Sequence, residues 1–240
     1  MNYGIQMYSL RDLTETDLEA GLRAVAEMGY KEVEFAGYFG HSAEEVKAML
    51  DKYGLRCSGT HTKLRFLTED FEGQVNFLKT IGCNKYVIPS HSLNSKEDVD
   101  NFVAKCNEYS PLLKEHGIEL GFHNHAKEFE PMEDGTIIHR ELEARTDLFF
   151  ELDTYWVYVA GLDPIEEMER LGSRVKMIHL KDGDPDGDGC SLGDGSAPVA
   201  AVCAKAIEMG CDIVVESEGL YPTGPEEVKR CIEYLNTLGH

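Results

Sequence analysis

The sequence predicts an α/β chain closed into a single (β/α)8 barrel, and three observations carry that reading. A short strand-type run followed by an amphipathic helical stretch recurs eight times. Strict alternation of this kind implies parallel strands joined by right-handed crossovers. Eight units in 240 residues average 30 residues each, the length of one strand–helix unit, and about 250 residues is typical of the closed barrel. A doubly wound open sheet is the alternative. It usually sets a glycine-rich phosphate loop after its first strand, where this chain reads SLRDLTET. No linker, low-complexity tract or second domain interrupts residues 1–240.

From the amino terminus, the first strand is expected at 3–10 and its helix at 14–29, ended by Gly29 just before the second strand at 31–36. Ser42 caps the helix at 42–53, with Glu45 three residues on and Gly54 as the stop. The third strand spans 55–61 and the third helix 69–81, ended by Gly82. Strand 85–91 leads into helix 95–116, ended by Gly117, and strand 118–125 into helix 136–145. Strand 148–154 precedes a helix at 163–172 that opens on Asp163-Pro164, where proline is favoured. Strand 175–181 is followed by helix 198–209, with Gly210 as its stop. Strand 211–217 leads to a last helix at 225–238, opened by Gly224-Pro225.

Charge is the one extreme of the composition: 23 basic against 44 acidic residues, a net −21. A phosphate-tracking surface for nucleic acid and attraction to anionic lipid are both excluded on that balance. With 42% hydrophobic residues and a mean hydropathy of −0.33, the rest is ordinary for a globular domain. No apolar run approaches the ~18 residues of a membrane span, and the opening MNYGIQMYSLRD lacks signal-peptide architecture. The seven cysteines are odd in number and show no CxxC spacing. They read as reduced, buried thiols of a cytoplasmic protein. A homo-oligomer is left open.

In such a barrel the active site lies at the C-terminal ends of the strands. Residues of one parity along a strand share a face, so ionisable pairs two apart at those ends are informative. Four consecutive strands carry one: His123 and His125, Glu151 and Asp153, His179 and Lys181, Glu216 and Glu218. Two histidines, an aspartate and a glutamate converging on one mouth make an N/O ligand set for a divalent ion. Imidazole with carboxylate suits Mn²⁺, Co²⁺, Fe²⁺ or Zn²⁺ better than Mg²⁺. Glu34, His61 and Glu151 are on-face candidates for substrate hydroxyls, and Tyr8 and Trp156 for an apolar wall. The loop DGDPDGDGCSLGDGS resembles a calcium loop through Asp184, Asp186, Asp188 and Gly189, but its twelfth position is Gly195 in place of a glutamate. It reads as a mobile acidic loop, placed where a lid would cover the site.

These residues also carry a resemblance. The segments GIQMYSLRD, EMGYKEVEFAGYFGHSAEEVKAML, GIELGFHNHAKEF, FELDTYWVYVAGLDP, GSRVKMIHLKD with a following LGDGS, and IVVESEG run nearly end to end. Together they resemble the xylose isomerase-like TIM barrels, a family of sugar phosphate isomerases/epimerases that includes hydroxypyruvate isomerase, ketose 3-epimerases and inosose dehydratase. The resemblance implies a divalent metal held by Asp153, His179 and Glu216. The family's fourth ligand is a strand-five glutamate within a segment like LALENH; this chain reads LGFHNH, so His123 stands in its place. A histidine found in many relatives three residues after the strand-six aspartate is likewise replaced, by Trp156. Both departures weaken plain ketose epimerisation, because an imidazole is not an equivalent proton carrier to a carboxylate.

The expected chemistry is metal-assisted removal of a proton beside a carbonyl, by Glu216 or by His123 or His125, with Lys181 stabilising an oxyanion or protonating a leaving group. Three functions follow: a metal-dependent isomerase or epimerase of a sugar or keto-sugar acting through an enediolate, a metal-dependent lyase or dehydratase of a keto-sugar or keto-inositol, and a non-catalytic sugar-binding barrel. Each implies a small-molecule carbohydrate partner. A nuclease is argued against by the charge of −21.

Overall fold

Runs rich in valine, isoleucine and phenylalanine supply the strands, and their pairing closes the ring. In this computed structural model, which describes residues 2–239, eight parallel strands follow one another in sequence order. They are β1 (Tyr3–Gln6), β2 (Glu32–Phe35), β3 (Arg56–His61), β4 (Lys85–Ile88), β5 (Glu119–His123), β6 (Phe149–Asp153), β7 (Val175–Leu180) and β8 (Asp212–Val215). β8 pairs with β1 through Tyr3 opposite Ile213, and the barrel is complete. The principal helices of the outer layer are Leu18–Met28, Ala43–Tyr53, Phe71–Ile81, Lys96–Glu115, Ile138–Arg145, Pro164–Leu171, Val199–Met209 and Gly224–Thr237. Among the described residues no helix is long and apolar enough to cross a membrane.

The punctuation expected from sequence is present. Ser42 and Glu45 form a reciprocal capping box, and Gly29, Gly54, Gly82 and Gly210 end helices in the left-handed conformation. Asp163 caps its helix with Pro164 in the first turn. The differences lie at the strand ends. The strand expected at 3–10 stops at Gln6, because Met7–Leu10 turns into a 3-10 helix with the Gln6 side chain accepting from the Tyr8 N–H. The helix expected at 14–29 divides into Arg11–Thr14 and Leu18–Met28, since Asp17 caps a new start. A further helix, Leu64–Glu69, precedes the one capped by Asp70. Strands expected to end at 91, 125 and 217 end at Ile88, His123 and Val215, so several functional candidates sit just past the sheet.

Inside the barrel the side chains form layers. Arg56 with Glu32 and Lys85 with Asp212 pair at the N-terminal end. An apolar plug of Val87, Phe149, Met177 and Val214 lies above them. The fit is tight: at Gly121 any Cβ would lie 2.3 Å from the Phe149 ring. Above the plug lie the inward side chains of Glu34, His61, His123, Glu151, His179 and Glu216. Two register irregularities set that layer, one between Val33 and Glu34 in the β2–β3 pairing and one between Phe150 and Glu151 in the β6–β7 pairing. Each precedes an inward glutamate, and bulges of this kind re-aim side chains near functional sites.

Candidate active site

The mouth of the barrel collects what the parity argument selected. His123, at the end of β5, Asp153, at the end of β6, His179 of β7, and Glu216, one residue past β8, are all buried. Each offers one ligand atom, and the four atoms lie within 4.8 Å of one another. Asp153 also caps the helix Thr154–Val159: its Oδ1 accepts from the backbone N–H groups of Tyr155 and Trp156, each at 3.0 Å. Its Oδ2 is left buried with no partner, and His123 Nδ1 makes no hydrogen bond, its nearest carboxylate oxygen being Glu151 Oε2 at 3.4 Å. Buried polar atoms are ordinarily paired, and two orphaned ligand-type atoms in an N/O set fit a divalent cation.

Electrostatics sharpen the roles. Burial pushes Glu216 up, but His179 and Lys181 outweigh it and hold the carboxyl well below the usual range. Burial raises Asp153 to about 7, with Lys181 opposing and Glu216 adding to the rise. Burial presses His123 down to about 3, which keeps it neutral with a lone pair to offer. His179 goes the other way: burial lowers it, and Glu151, Glu216 and Glu34 together raise it well above an ordinary imidazole. The Lys181 ammonium is 2% exposed, 3.0 Å from Glu218 Oε2, 3.6 Å from Glu216 Oε2, and 4.8 Å from the Trp156 ring centre. Those carboxylates overcome burial and keep it charged.

A cavity of about 750 Å³ opens onto this cluster; His61, His123, His125, Glu216 and Glu218 line it, with Lys63 and Arg65 also on its wall. Tyr8, 43% exposed at the start of the 3-10 helix, lies on the wall with Tyr38 and Phe66. Trp156, also expected on the apolar wall, is not among the residues that line this cavity; its ring lies 6.0 Å from that of His125. Glu34 and Glu151 depart from the expectation that they meet substrate hydroxyls. They face inward, but both are 0% exposed and neither reaches the cavity wall, because their strand positions lie deeper than the mouth. His61 is shared between the levels: it lines the cavity while its Nε2 is 2.5 Å from Glu151 Oε2.

The acidic loop after β7 is tethered. Asp182 and Gly183 pair antiparallel with Gly189 and Cys190. The buried Asp182 carboxylate accepts four backbone N–H groups, from Gly183, Gly193, Gly195 and Ala197. Gly187, at the tip, lies over the Trp156 ring. Sequence reasoning passed over three contributors. Gln6 carried a usable signal, since it shares inward parity with Gly4 on β1. Tyr38 and Phe66 carried none, because loop residues reach the wall only through the tertiary fold.

Comparison with known proteins identifies the family and the fold. The sequence profile of the xylose isomerase-like TIM barrel family matches residues 22–238. The chain is 27% identical over 190 residues to an inosose dehydratase of Mesomycoplasma hyopneumoniae strain 7448, covering 67% of this chain and 61% of that protein. The match thus spans less than two thirds of that relative's length. An inosose dehydratase of Geobacillus kaustophilus is 25% identical over 253 residues, with 82% of this chain and 79% of that one covered. Among solved structures, a sugar phosphate isomerase/epimerase from Parabacteroides distasonis superimposes with a TM-score of 0.86 at 29% identity, over 98% of this chain and 93% of that one.

Proposed function

Because the chain belongs to the xylose isomerase-like TIM barrel family, we propose that it is a divalent-metal-dependent enzyme that isomerises or epimerises a sugar or keto-sugar through an enediolate. The observation that carries this is the convergence of His123, Asp153, His179 and Glu216 within 4.8 Å, fully inside the mouth and with orphaned Asp153 Oδ2 and His123 Nδ1. Those four residues would hold the ion; their mixed donors favour Mn²⁺, Co²⁺, Fe²⁺ or Zn²⁺ over Mg²⁺. Such an ion, when bound, supplies Lewis acidity toward a carbonyl oxygen.

The chain's own groups supply the proton chemistry. Glu216, ionised and on the cavity wall, is the base for a proton on the carbon beside the carbonyl. His125, on the same wall, is lowered by burial and stays neutral, able to donate to a substrate oxygen or to take a proton from it. The Lys181 charge faces developing negative charge from behind Glu216. Tyr8, with Tyr38 and Phe66, supports an apolar sugar face. The partner is a small carbohydrate, and a cytoplasmic setting is in keeping with seven unpaired thiols.

One observation favours a second reading, a lyase or dehydratase of a keto-sugar or keto-inositol. His123, pressed to about 3, is no proton carrier near neutrality, which leaves proton transfer on the wall to the carboxyl groups of Glu216 and Glu218, with the charged Lys181 buried 3.6 and 3.0 Å behind them. The likeness to inosose dehydratases points the same way. The test is incubation of Mn²⁺-loaded protein with keto-sugars and inososes in deuterated water, followed by NMR and mass spectrometry. Deuterium gained on carbon without loss of water supports the isomerase or epimerase. Loss of water supports the lyase, and binding with no exchange on any candidate leaves the sugar-binding barrel.

A further inference from the structure

Two overlapping ligand sets meet at the barrel mouth, and they make opposite demands on one imidazole. The upper set is His123, Asp153, His179 and Glu216; the deeper one is His61, His123, Glu151 and His179, also within 4.8 Å. His179 turns Nδ1 toward Glu216 Oε2, at 3.3 Å, and Nε2 toward Glu151 Oε1, at 3.3 Å. An ion in the upper set takes Nδ1, whereas an ion in the deeper set takes Nε2. A metal-bound nitrogen must present a lone pair, so binding displaces the proton from one His179 nitrogen, and the nitrogen that keeps its proton decides which set can bind.

From this geometry, and resting on the metal reading above, we infer that Glu34 is a positioning residue that holds His179 as its Nε2–H tautomer and so commits Nδ1 to the metal. Glu34 Oε2 lies 2.7 Å from His179 Nε2, the shortest contact that ring makes. Glu34 Oε2 already serves as an acceptor for the Gln6 amide, and a carboxyl oxygen in that role accepts from the ring nitrogen facing it as well. The same oxygen accepts from Gln6 Nε2 at 2.8 Å, which fixes the carboxylate from β1. Glu34 is 0% exposed and off the cavity wall, so it cannot meet substrate. Its placement is built in: the register irregularity between Val33 and Glu34 sets Glu34 opposite Gly59, where a Cβ would lie 3.0 Å from Glu34 Oε1. His61 and Glu151 then complete a buried hydrogen-bonded layer under the ligands, with the His61 ring stacked 5.1 Å from that of His179. A carboxylate behind a ligand histidine orients the ring and raises its basicity, and losing such a partner typically costs 10–100-fold in metal affinity.

The test reads the metal and the ring directly. Mn²⁺ affinity is measured by calorimetry for the wild type, Glu34→Ala and Glu34→Gln, with folding checked by circular dichroism. Protein labelled with ¹⁵N-histidine and loaded with ¹¹³Cd²⁺ reports by NMR which His179 nitrogen is coupled to the metal. The expected result is a ~10–100-fold loss in Glu34→Ala, partial recovery in Glu34→Gln, whose amide oxygen still accepts, and coupling to Nδ1 in the wild type. Coupling to Nε2, or Glu34 variants that bind Mn²⁺ within about twofold of wild type, overturns the role of Glu34 and leaves the metal site standing. Wild-type protein that binds neither ion overturns the metal reading and this inference with it. Should Glu34→Ala not fold, Glu34→Gln and the wild-type spectrum decide.

Discussion

Glu216 concentrates the proposed mechanism in one side chain, since it is both a candidate ligand and an ionised carboxylate on the cavity wall. Glu216→Gln separates those duties: the amide oxygen still ligates weakly, but it cannot take a proton at neutral pH. The variant is expected to fold, keep part of its Mn²⁺ and lose turnover by ~10²-fold or more, with solvent deuterium exchange falling in parallel. Exchange at the wild-type rate with metal retained would move the base to His125. In His123→Ala, metal content measured by atomic emission should fall as far as in Asp153→Ala; unchanged content would place His123 among substrate contacts. Away from the site, His139 is fully buried between Phe129 and Phe150, at ring distances of 4.4 and 4.5 Å, with neither nitrogen paired. Burial, with Arg140 and Arg174 nearby, holds it down to about 3. The unfolded chain binds that proton near pH 6.5, so between about 3 and 6.5 unfolding takes up a proton that the fold refuses, and stability falls as pH falls. His139→Phe should therefore lose less melting temperature between pH 7.5 and pH 5 than the wild type. An identical pH dependence in calorimetry would contradict the assignment.

At the scale of elements, the mouth is held by carboxylates that act on backbone. Asp182 gathers the loop 183–197 by accepting Gly183 and Ala197 on Oδ1 and Gly193 and Gly195 on Oδ2, all within 3.1 Å. Glu227, on the last helix, accepts the Ser217 hydroxyl and the Tyr221 N–H, and so ties down the segment that carries Glu216 and Glu218. Asp182→Asn turns one acceptor into a donor and leaves two backbone N–H groups facing it. At roughly 1–3 kcal/mol for each group left unpaired, the expected cost is about 2–6 kcal/mol. Limited proteolysis should then cut within 183–197 before any other segment; an unchanged cleavage pattern and melting temperature would show that the hairpin alone holds the loop.

For the whole molecule, the packed plug below and the ionisable layer above divide stability from chemistry along the barrel axis. An ion held by the four proposed ligands would join β5, β6, β7 and the segment after β8, and would stabilise only the closed barrel. At a hundredfold excess of free Mn²⁺ over its Kd, the stabilisation is about 2.7 kcal/mol. Thermal unfolding should move upward with Mn²⁺ concentration, return on chelation and stay fixed in Asp153→Ala. A shift of equal size in that variant would place the ion elsewhere.

Much of this molecule was legible in the order of its residues. The eightfold alternation, the glycine stops and the Ser42–Glu45 box are local signals, and local signals survive because backbone conformation answers first to neighbouring residues. Parity along β5 to β8 likewise selected the pairs His123 and His125, Glu151 and Asp153, His179 and Lys181, and Glu216 and Glu218, since side chains two apart share a face whatever surrounds them; the family resemblance then singled out Asp153, His179 and Glu216 as ligands. Parity has no depth, however. Only the closed barrel sets Glu34 and Glu151 below the ligands and away from substrate, because depth depends on stagger between strands and on two bulges that no single strand reveals. Only the fold brings Tyr38 and Phe66 to the cavity and gathers the acidic loop onto Asp182. The residues of the site were chosen by a period of two; their division into ligands, wall and support was decided by contacts between strands and loops far apart in the chain.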